Sequence, residues 1–386
     1  MSAGQNAGQS AGAITYAGGQ NIDLANVEHE LAGLWRQAGE AAAEAGQRSV
    51  TRACLWNLVV YQPPPEQRYG RPSAPRLLDD VTAAVPSRLL RLELRPEAEA
   101  PSGGKAVSAW VNTKCNISPA GGHQICTEEI GISGFGKKGQ AHFPALVRAL
   151  LVPDLPVALV WLDSAPHKGR LLRDLLRLSD RILVDTQPSA EGATLIEVDE
   201  LVRETHAQFV DLGWMRLTPV RYMVASLFDA PGRPEQLKHL EGIRIDTTPS
   251  GRNSGFLLLG WLLSRLGKLE LSAEDAAGRE AEFRWKIRQE NGSFPIEFHV
   301  REGEGGLDGL LCLDVAAGGE HFVLRQVDEL HVALDSPDHG GKKQALHGWD
   351  DPELVVAGLG GPGLDALYPE ALNIAARLIG AEAWNR

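Results

Sequence analysis

No run of this chain reaches the ~18 consecutive apolar residues that a membrane-spanning helix needs; charge, proline or glycine breaks every hydrophobic stretch. The first twenty residues, MSAGQNAGQSAGAITYAGGQ, lack the basic start and apolar core of a secretory signal and read as a flexible tail. Cysteine is scarce: Cys54, Cys115, Cys126 and Cys312 are too few for a disulfide scaffold at this length and fit a reducing compartment. Positive charge is in deficit, with 38 basic against 50 acidic residues and a net charge of −12. That balance argues against bulk attraction to nucleic acid or to an anionic membrane, and the expected location is cytoplasmic. The P-loop pattern GxxxxGK[ST] and the zinc pattern HExxH are both missing. The expectation is a chain with no catalytic constellation, no metal and no cofactor.

What is present is enough for packed cores. Hydrophobic residues make up 43% of the 386, and at about 100–200 residues per domain the length suggests two domains. Leu24, Val27, Leu31, Leu34 and Trp35 recur at helical spacing behind Asp23 or Asn26, which predicts a first helix running to Gly46. SVTRACLWNLVVYQ is β-rich, LLDDVTAAV a short helix, SRLLRLELRP a half-buried strand, and VSAWVNTKCNI and HQICTEEIGISG two strands joined by SPAGG. Phe143 to Thr186 then reads as helix, apolar strand, amphipathic helix and apolar strand, a βαβ pattern. Two helical pieces divided at Gly213–Trp214 follow, and APGRPEQL is the linker candidate.

Beyond it, GIRIDTT is strand-like and GRNSG leads into FLLLGWLLSRLG, a helix apolar on most of its surface. EFRWKIRQ, FPIEFHVRE, LDGLLCLDVAA, EHFVLRQV and ELHVALD are strand-like pieces separated mostly by glycine turns, the signature of an antiparallel meander. GGKKQ reads as a loop and DALYPEALNIAARLIGAEAWN as a final helix. The predicted organisation is a tail (1–20), an α/β N-terminal domain with a βαβ layer (21–230), and an α+β C-terminal domain with a β-meander (231–386).

Four places could carry chemistry or binding. The glycine run 131–139 follows a strand, and a flexible β-to-α loop is its plainer reading against a phosphate cradle. Cys115 and Cys126 face each other if the hairpin turns at Ala120–Gly121, within the ~4.5–5.5 Å Cβ spacing of opposed residues, and His123 lies near. They are either a redox pair or two small strand hydrophobes. Arg170, Arg173, Arg177 and Arg181 step by three, four and four to make a basic stripe opposite Leu171, Leu172, Leu175, Leu176 and Leu178. In an acidic chain this stripe is a docking candidate for an acidic partner, with a solvated helix face as the plain alternative. Arg252, Asn253 and Ser254 open the apolar helix, where free N–H groups attract anions, although N-capping accounts for Asn253 or Ser254 equally well. The histidine groupings, His321/His331 and His339/His347, read as solvated strand histidines rather than metal ligands.

Taken in order, VTRACLWNLVV (50–60), PSRLLRLEL (86–94), ICTEEIGISG (125–134), LVRALLVPDLPVALVW (146–161), DRILVDT (180–186), LGWMRLTPVR (212–221) and LLLGWLLSRLG (257–267) resemble the glucose-6-phosphate dehydrogenase assembly protein family, OpcA. The resemblance implies a non-catalytic partner of that dehydrogenase, promoting its active oligomer or acting as an allosteric effector. In cyanobacterial members the effect is linked to thioredoxin and cysteine redox state. The residues alone leave an alternative open: a sugar-phosphate- or nucleotide-binding protein or enzyme using the βαβ strand ends and the Arg252 helix.

Overall fold

WNLVVYQ, VALVW and RILV are close to unbroken apolar runs because their strands are buried on both faces, as central strands of a parallel sheet must be. The computed structural model describes the chain apart from residues 1–12, 20–21, 47–48, 53, 64–73, 102–104, 118–122, 163–168, 188–192, 267–269, 272–276, 280, 290–291, 304–308, 329–330, 338, 346–350, 362–364 and 384–386. The first part runs β1 (Ala13–Ala17), α1 (Val27–Glu44), β2 (Ser49–Arg52), β3 (Trp56–Gln62), α2 (Ala74–Ala84), β4 (Ser87–Arg95), β5 (Val107–Ile117), β6 (His123–Phe135), α3 (Gly136–Gln140) and α4 (Phe143–Leu150). It continues through β7 (Val157–Trp161), α5 (Arg170–Leu176), β8 (Arg181–Val184), α6 (Ala193–Glu204), β9 (Gln208–Asp211), α7 (Leu212–Arg216) and α8 (Thr218–Ser226).

After α9 (Arg233–Gln236) come β10 (Leu240–Thr247), α10 (Arg252–Arg265), β11 (Glu270–Leu271), β12 (Ala277–Arg279), β13 (Glu282–Gln289), β14 (Gly292–Val300) and β15 (Leu310–Ala317). The chain ends with β16 (Glu320–Asp328), β17 (His331–Ser336), β18 (His339–Ala345), α11 (Asp351–Gly360) and α12 (Tyr368–Ala383).

Among the described residues the strands form two mixed sheets with helices against them, a two-domain α/β layout. In the first, the order β6-β4-β3-β7-β8-β9 is parallel throughout. The chain enters at the centre on β3, works outward to β6, returns to β7 and works outward again. That order is the doubly wound arrangement, with its switch point between β3 and β7. β5 joins antiparallel outside β6, and β1 pairs antiparallel with β5. Residues 13–17 of the expected tail are therefore an edge strand, while residues 1–12 lie outside the described part.

The second sheet departs from a simple meander. β10 lies between β14, to which it is parallel, and β15, to which it is antiparallel. The segment expected as a loop, GGKKQ, lies within β18, paired with β17. One face buries Phe283, Trp285, Phe294, Phe298, Phe322 and their neighbours against α10, whose residues 253–260 are all buried. The linker candidate is ordered too: Arg233 in α9 is buried, donates to the Leu227 carbonyl and lies over the Phe322 ring.

The last two helices return to the first sheet. Leu354, Val355 and Leu359 of α11 share a core with Leu58, Val60, Leu89 and Leu183, and α12 packs between α6 and α10. Among the described residues no helix is long and apolar enough to cross a membrane.

The α10–α12 seam is tight at Gly260, where an added Cβ would sit 2.1 Å from the Ala371 carbonyl oxygen. Gly260→Ala should destabilise the chain in urea titrations, because overpacking of ~1–3 kcal/mol outweighs the ~1 kcal/mol that alanine gains over glycine in a helix. Gly39→Ala in α1, where nothing lies within 4 Å of the added methyl, should instead stabilise by up to ~1 kcal/mol. Equal responses at the two positions would contradict the close seam.

Candidate functional site

In a doubly wound sheet, ligands and catalytic groups gather outside the carboxyl ends of the parallel strands. At β8 and β9 those ends are occupied by the chain's own side chains. Asp211, the last residue of β9, accepts from the Thr186 N–H (3.2 Å) and hydroxyl (2.8 Å), from the Gly213 N–H (2.9 Å) and from the Tyr368 hydroxyl of α12 (2.9 Å). Beside it Arg216 grips both oxygens of Asp185 at 2.9 Å and reaches Asp351 of α11. Burial, with the neighbouring Asp185 charge, pushes the Asp211 carboxyl up to about 6, against the opposing pull of its hydrogen bonds. Burial, reinforced by Asp211, also holds the Tyr368 phenol well above its usual range. Such a cluster fastens elements together; each of its acids is committed to a partner inside the chain.

The Arg252–Ser254 segment is drawn into the same fastening. Asn253 and Ser254 are buried, and the Asn253 amide donates to the Thr186 carbonyl at 2.7 Å. Arg252 lies over the rings of Phe256 and Phe283. Neither Asn253 nor Ser254 caps the helix: Gly251 holds the N-cap position with no side-chain bond. The helix start thus faces the first sheet rather than solvent, a long-range contact that local sequence could not disclose.

The glycine run 131–139 carries two partial phosphate-loop spacings. Gly134, Gly136 and Gly139 stand at GxGxxG spacing, and Gly131 to Lys137 matches a P-loop up to Lys138, which replaces its Ser or Thr. The structure gives these glycines another use. Gly131 and Gly134 lie inside β6, hydrogen-bonded between β4 and β5. A Cβ at Gly134 would stand 2.7 Å from the Phe143 ring, and one at Gly139 only 2.3 Å from the Ala106 carbonyl oxygen. They allow α3 to close over the strand end. At the switch point itself, the connection after β3 reads PPPEQRYGRPSAP, with one glycine and no cradle pattern.

Cys115 and Cys126 face each other across β5 and β6 and are joined in a disulfide, fully buried beside Ala38 with Tyr16, Trp35 and Val50 packed around them. The disulfide departs from the reading that the cysteines fit a reducing compartment and from the reading of this pair as two strand hydrophobes. Cys54 and Cys312 are free and half-buried, and burial raises both thiols above their usual range.

The arginine stripe is broken. α5 ends at Leu176, and Arg181 is instead the first residue of β8, with its side chain buried. Arg170 and Arg177 share Asp174 (3.4 and 3.1 Å), and both point into solvent. Arg173 lines a cleft of about 820 Å³ at the amino ends of β7, β8 and β9, together with Arg177 and Arg181. His321 pairs with Asp314 and His331 with Asp328, and His347 lies outside the described residues. Among the described residues no three His, Cys, Asp or Glu side chains could hold a metal ion.

Two domain descriptions match in chain order: glucose-6-phosphate dehydrogenase subunit N-terminal domain over residues 78–199, and the C-terminal domain of the same subunit over 207–372. The chain belongs to the OpcA family of glucose-6-phosphate dehydrogenase assembly proteins. Its relatives include provisionally named OxPP cycle proteins OpcA from Nostoc punctiforme (23% identity, covering 67% of this chain and 69% of the relative) and Synechococcus elongatus (26%, covering 82% and 80%). A Synechocystis relative of the same name is 29% identical over 52% of this chain and 42% of its own length. Among solved structures, an oxidoreductase from Thermotoga maritima overlaps 86% of this chain and 96% of its own (11% identity, TM-score 0.46). Biliverdin reductase from Synechocystis overlaps 85% and 98% (11% identity, TM-score 0.44). Overlaps this loose transfer neither the fold nor the chemistry of those enzymes.

Two measurements test the geometry of this OpcA-family chain. Folded Asp211 keeps its proton to about pH 6, whereas an unfolded aspartate titrates near ~3.9. Between those values the native state binds more protons, so this group's contribution falls as pH rises, by at most about 3 kcal/mol. Asp211→Asn removes that slope: its stability relative to wild type should climb between pH 4 and 7, and a flat difference would count against a protonated Asp211. In denaturant without reductant, two thiols should react with a thiol reagent, Cys54 and Cys312, rising to four after reduction. Four at the outset would contradict the pair.

Proposed function

We propose that this chain is a non-catalytic subunit that binds glucose-6-phosphate dehydrogenase and favours the dehydrogenase's active conformer or oligomer. The observation that carries the reading is a doubly wound sheet whose described strand ends at β8 and β9 are filled by the chain's own side chains. The connection at the switch point lacks the glycine cradle pattern, and the acids at the ends of β8 and β9 are bonded to the chain's own α7 and α12. Membership of a family described as a subunit of the dehydrogenase supports the dehydrogenase as the partner.

A subunit of this kind acts only through differential affinity. It shifts its partner's equilibrium by the difference between its affinities for the two states, however tightly it binds either. Arg170, Arg173 and Arg177 on α5 and the open edge of the second sheet are the surfaces proposed for contact. Among the described residues Arg170 and Arg177 share one solvent-screened carboxylate partner, Asp174, so an acidic surface can compete for them cheaply.

The purified dehydrogenase, assayed over a range of glucose 6-phosphate concentrations with and without the chain, should show a changed rate, KM or oligomer size when the chain is added. No change in any of the three overturns the reading. Strong thermal stabilisation of the chain alone by glucose 6-phosphate, 6-phosphogluconate or NADP, lost in Arg252→Ala, would favour a small-ligand protein instead.

A further inference from the structure

The cleft at the amino ends of β7, β8 and β9 lies on the opposite edge of the sheet from the place where doubly wound proteins hold their ligands. Its walls divide by chemistry. Arg173 and Arg177 come from α5, Arg181 from the start of β8, and Trp56, Leu176 and Leu201 give it apolar walls. His206 lies at the start of β9. At about 820 Å³ it falls within the ~300–1,000 Å³ range of ligand pockets.

Arg181 is the unusual member. Its guanidinium is buried, and among the described residues every acceptor it meets is neutral: the Gln208 side-chain oxygen (2.5 and 3.1 Å) and the carbonyls of Gly358, Leu359 and Gly361 (2.6, 2.6 and 3.1 Å). It also lies over the Trp56 ring at 5.4 Å. Hydrogen bonds to carbonyls satisfy the N–H groups without cancelling the charge, so burial alone pulls this arginine below its usual pKa. A buried cation with no carboxylate bonded to it favours an anion placed in the adjoining cleft.

Arg173 supplies the contact that Arg181 cannot make. It is exposed and forms no ion pair among the described residues, unlike Arg170 and Arg177, which share Asp174. The cleft also holds two acids, and they orient the occupant. Asp180 accepts the Val157 N–H at 2.8 Å, and Glu204 stands at the end of α6. Incoming carboxylates are therefore directed toward the α5 side, away from Glu204, leaving the apolar walls for an uncharged side chain.

We propose that this cleft receives an acidic peptide segment of the partner protein, its carboxylates toward Arg173 and Arg181 and an apolar side chain against Trp56 and Leu201. The inference rests on the subunit reading above. A cleft with a cationic side and an apolar side fits a chain carrying both kinds of group better than a small, uniformly polar anion.

Binding of the intact chain to the purified dehydrogenase, measured by calorimetry at low and high salt, tests it. Arg173→Glu and the plugging variant His206→Trp should each weaken binding by about tenfold or more, and the Arg173→Glu deficit should shrink at high salt. Arg36→Glu, the same charge change on an exposed residue of α1 away from both proposed surfaces, should stay within about twofold. If wild type binds and both cleft variants bind equally well, the cleft inference fails and the subunit reading stands. If wild type does not bind at all, both fall. Inorganic phosphate or glucose 6-phosphate raising the melting temperature of wild type but not of Arg173→Glu would make the cleft a small-anion site and overturn the peptide.

Discussion

Asp211 and Tyr368 are separated by more than 150 residues of chain, and the 2.9 Å hydrogen bond between them holds the two ends of the architecture together. A carboxylate moved this far from water costs several kcal/mol unless its lone pairs are occupied. Asp211 meets that cost with the Thr186 amide and hydroxyl, the Gly213 amide and the Tyr368 phenol. Thr186 in turn offers its carbonyl to Asn253 at the start of α10. One buried acid thus fixes the ends of β8 and β9, the first turn of α7, and the helices α10 and α12. The second sheet lies in sequence between α8 and α11, so this network and the α11 core close the chain back onto the layer from which it started.

That closure fills, at the ends of β8 and β9, positions that a dinucleotide-binding layer gives to its ligand. In such a layer glycines at the first strand-to-helix turn admit a pyrophosphate. This chain keeps GxGxxG spacing, but beside the third parallel strand in chain order, where Gly134 and Gly139 admit Phe143 and the Ala106 carbonyl instead. The backbone approach that a phosphate would need has been given over to side-chain and main-chain packing. The Arg181 side chain does something comparable at the other edge, donating to the carbonyls at the C-terminal end of α11, where a cation also meets the negative end of the helix dipole.

Much of the fold could be read locally. Apolar runs marked β3, β7 and β8, the absence of a polar face marked α10 as buried, and hairpin arithmetic placed Cys115 opposite Cys126. What escaped depends on distant partners. Nothing in GIRIDTT says that it will separate β14 from β15, because parallel pairing is set by packing across the sheet rather than by a turn. HGGKKQA has poor strand propensity, yet it pairs with β17 at an edge, where lysines are well suited to discourage further pairing. Ala13–Ala17 sits in a glycine- and alanine-rich stretch and becomes a strand through β5. Arg233, within a Pro/Gly segment that looked like a linker, is held by a carbonyl and a phenylalanine ring.

The arginine stripe shows most clearly where local periodicity stops being informative. Spacing by three and four treats Arg170, Arg173, Arg177 and Arg181 as equivalents on one helix face. The helix ends at Leu176, and among the described residues the four acquire different physical situations: two solvated arginines sharing one aspartate, one exposed with no ion pair, and one buried among neutral acceptors. Exposed charge is screened and contributes little, whereas a buried cation without a bonded anion keeps its field. A preference for an anion on this side of the molecule therefore comes from the residue that the helical pattern places wrongly. That preference acts in the cleft rather than along the helix surface, so a partner that read only the outer face of α5 would leave it unused.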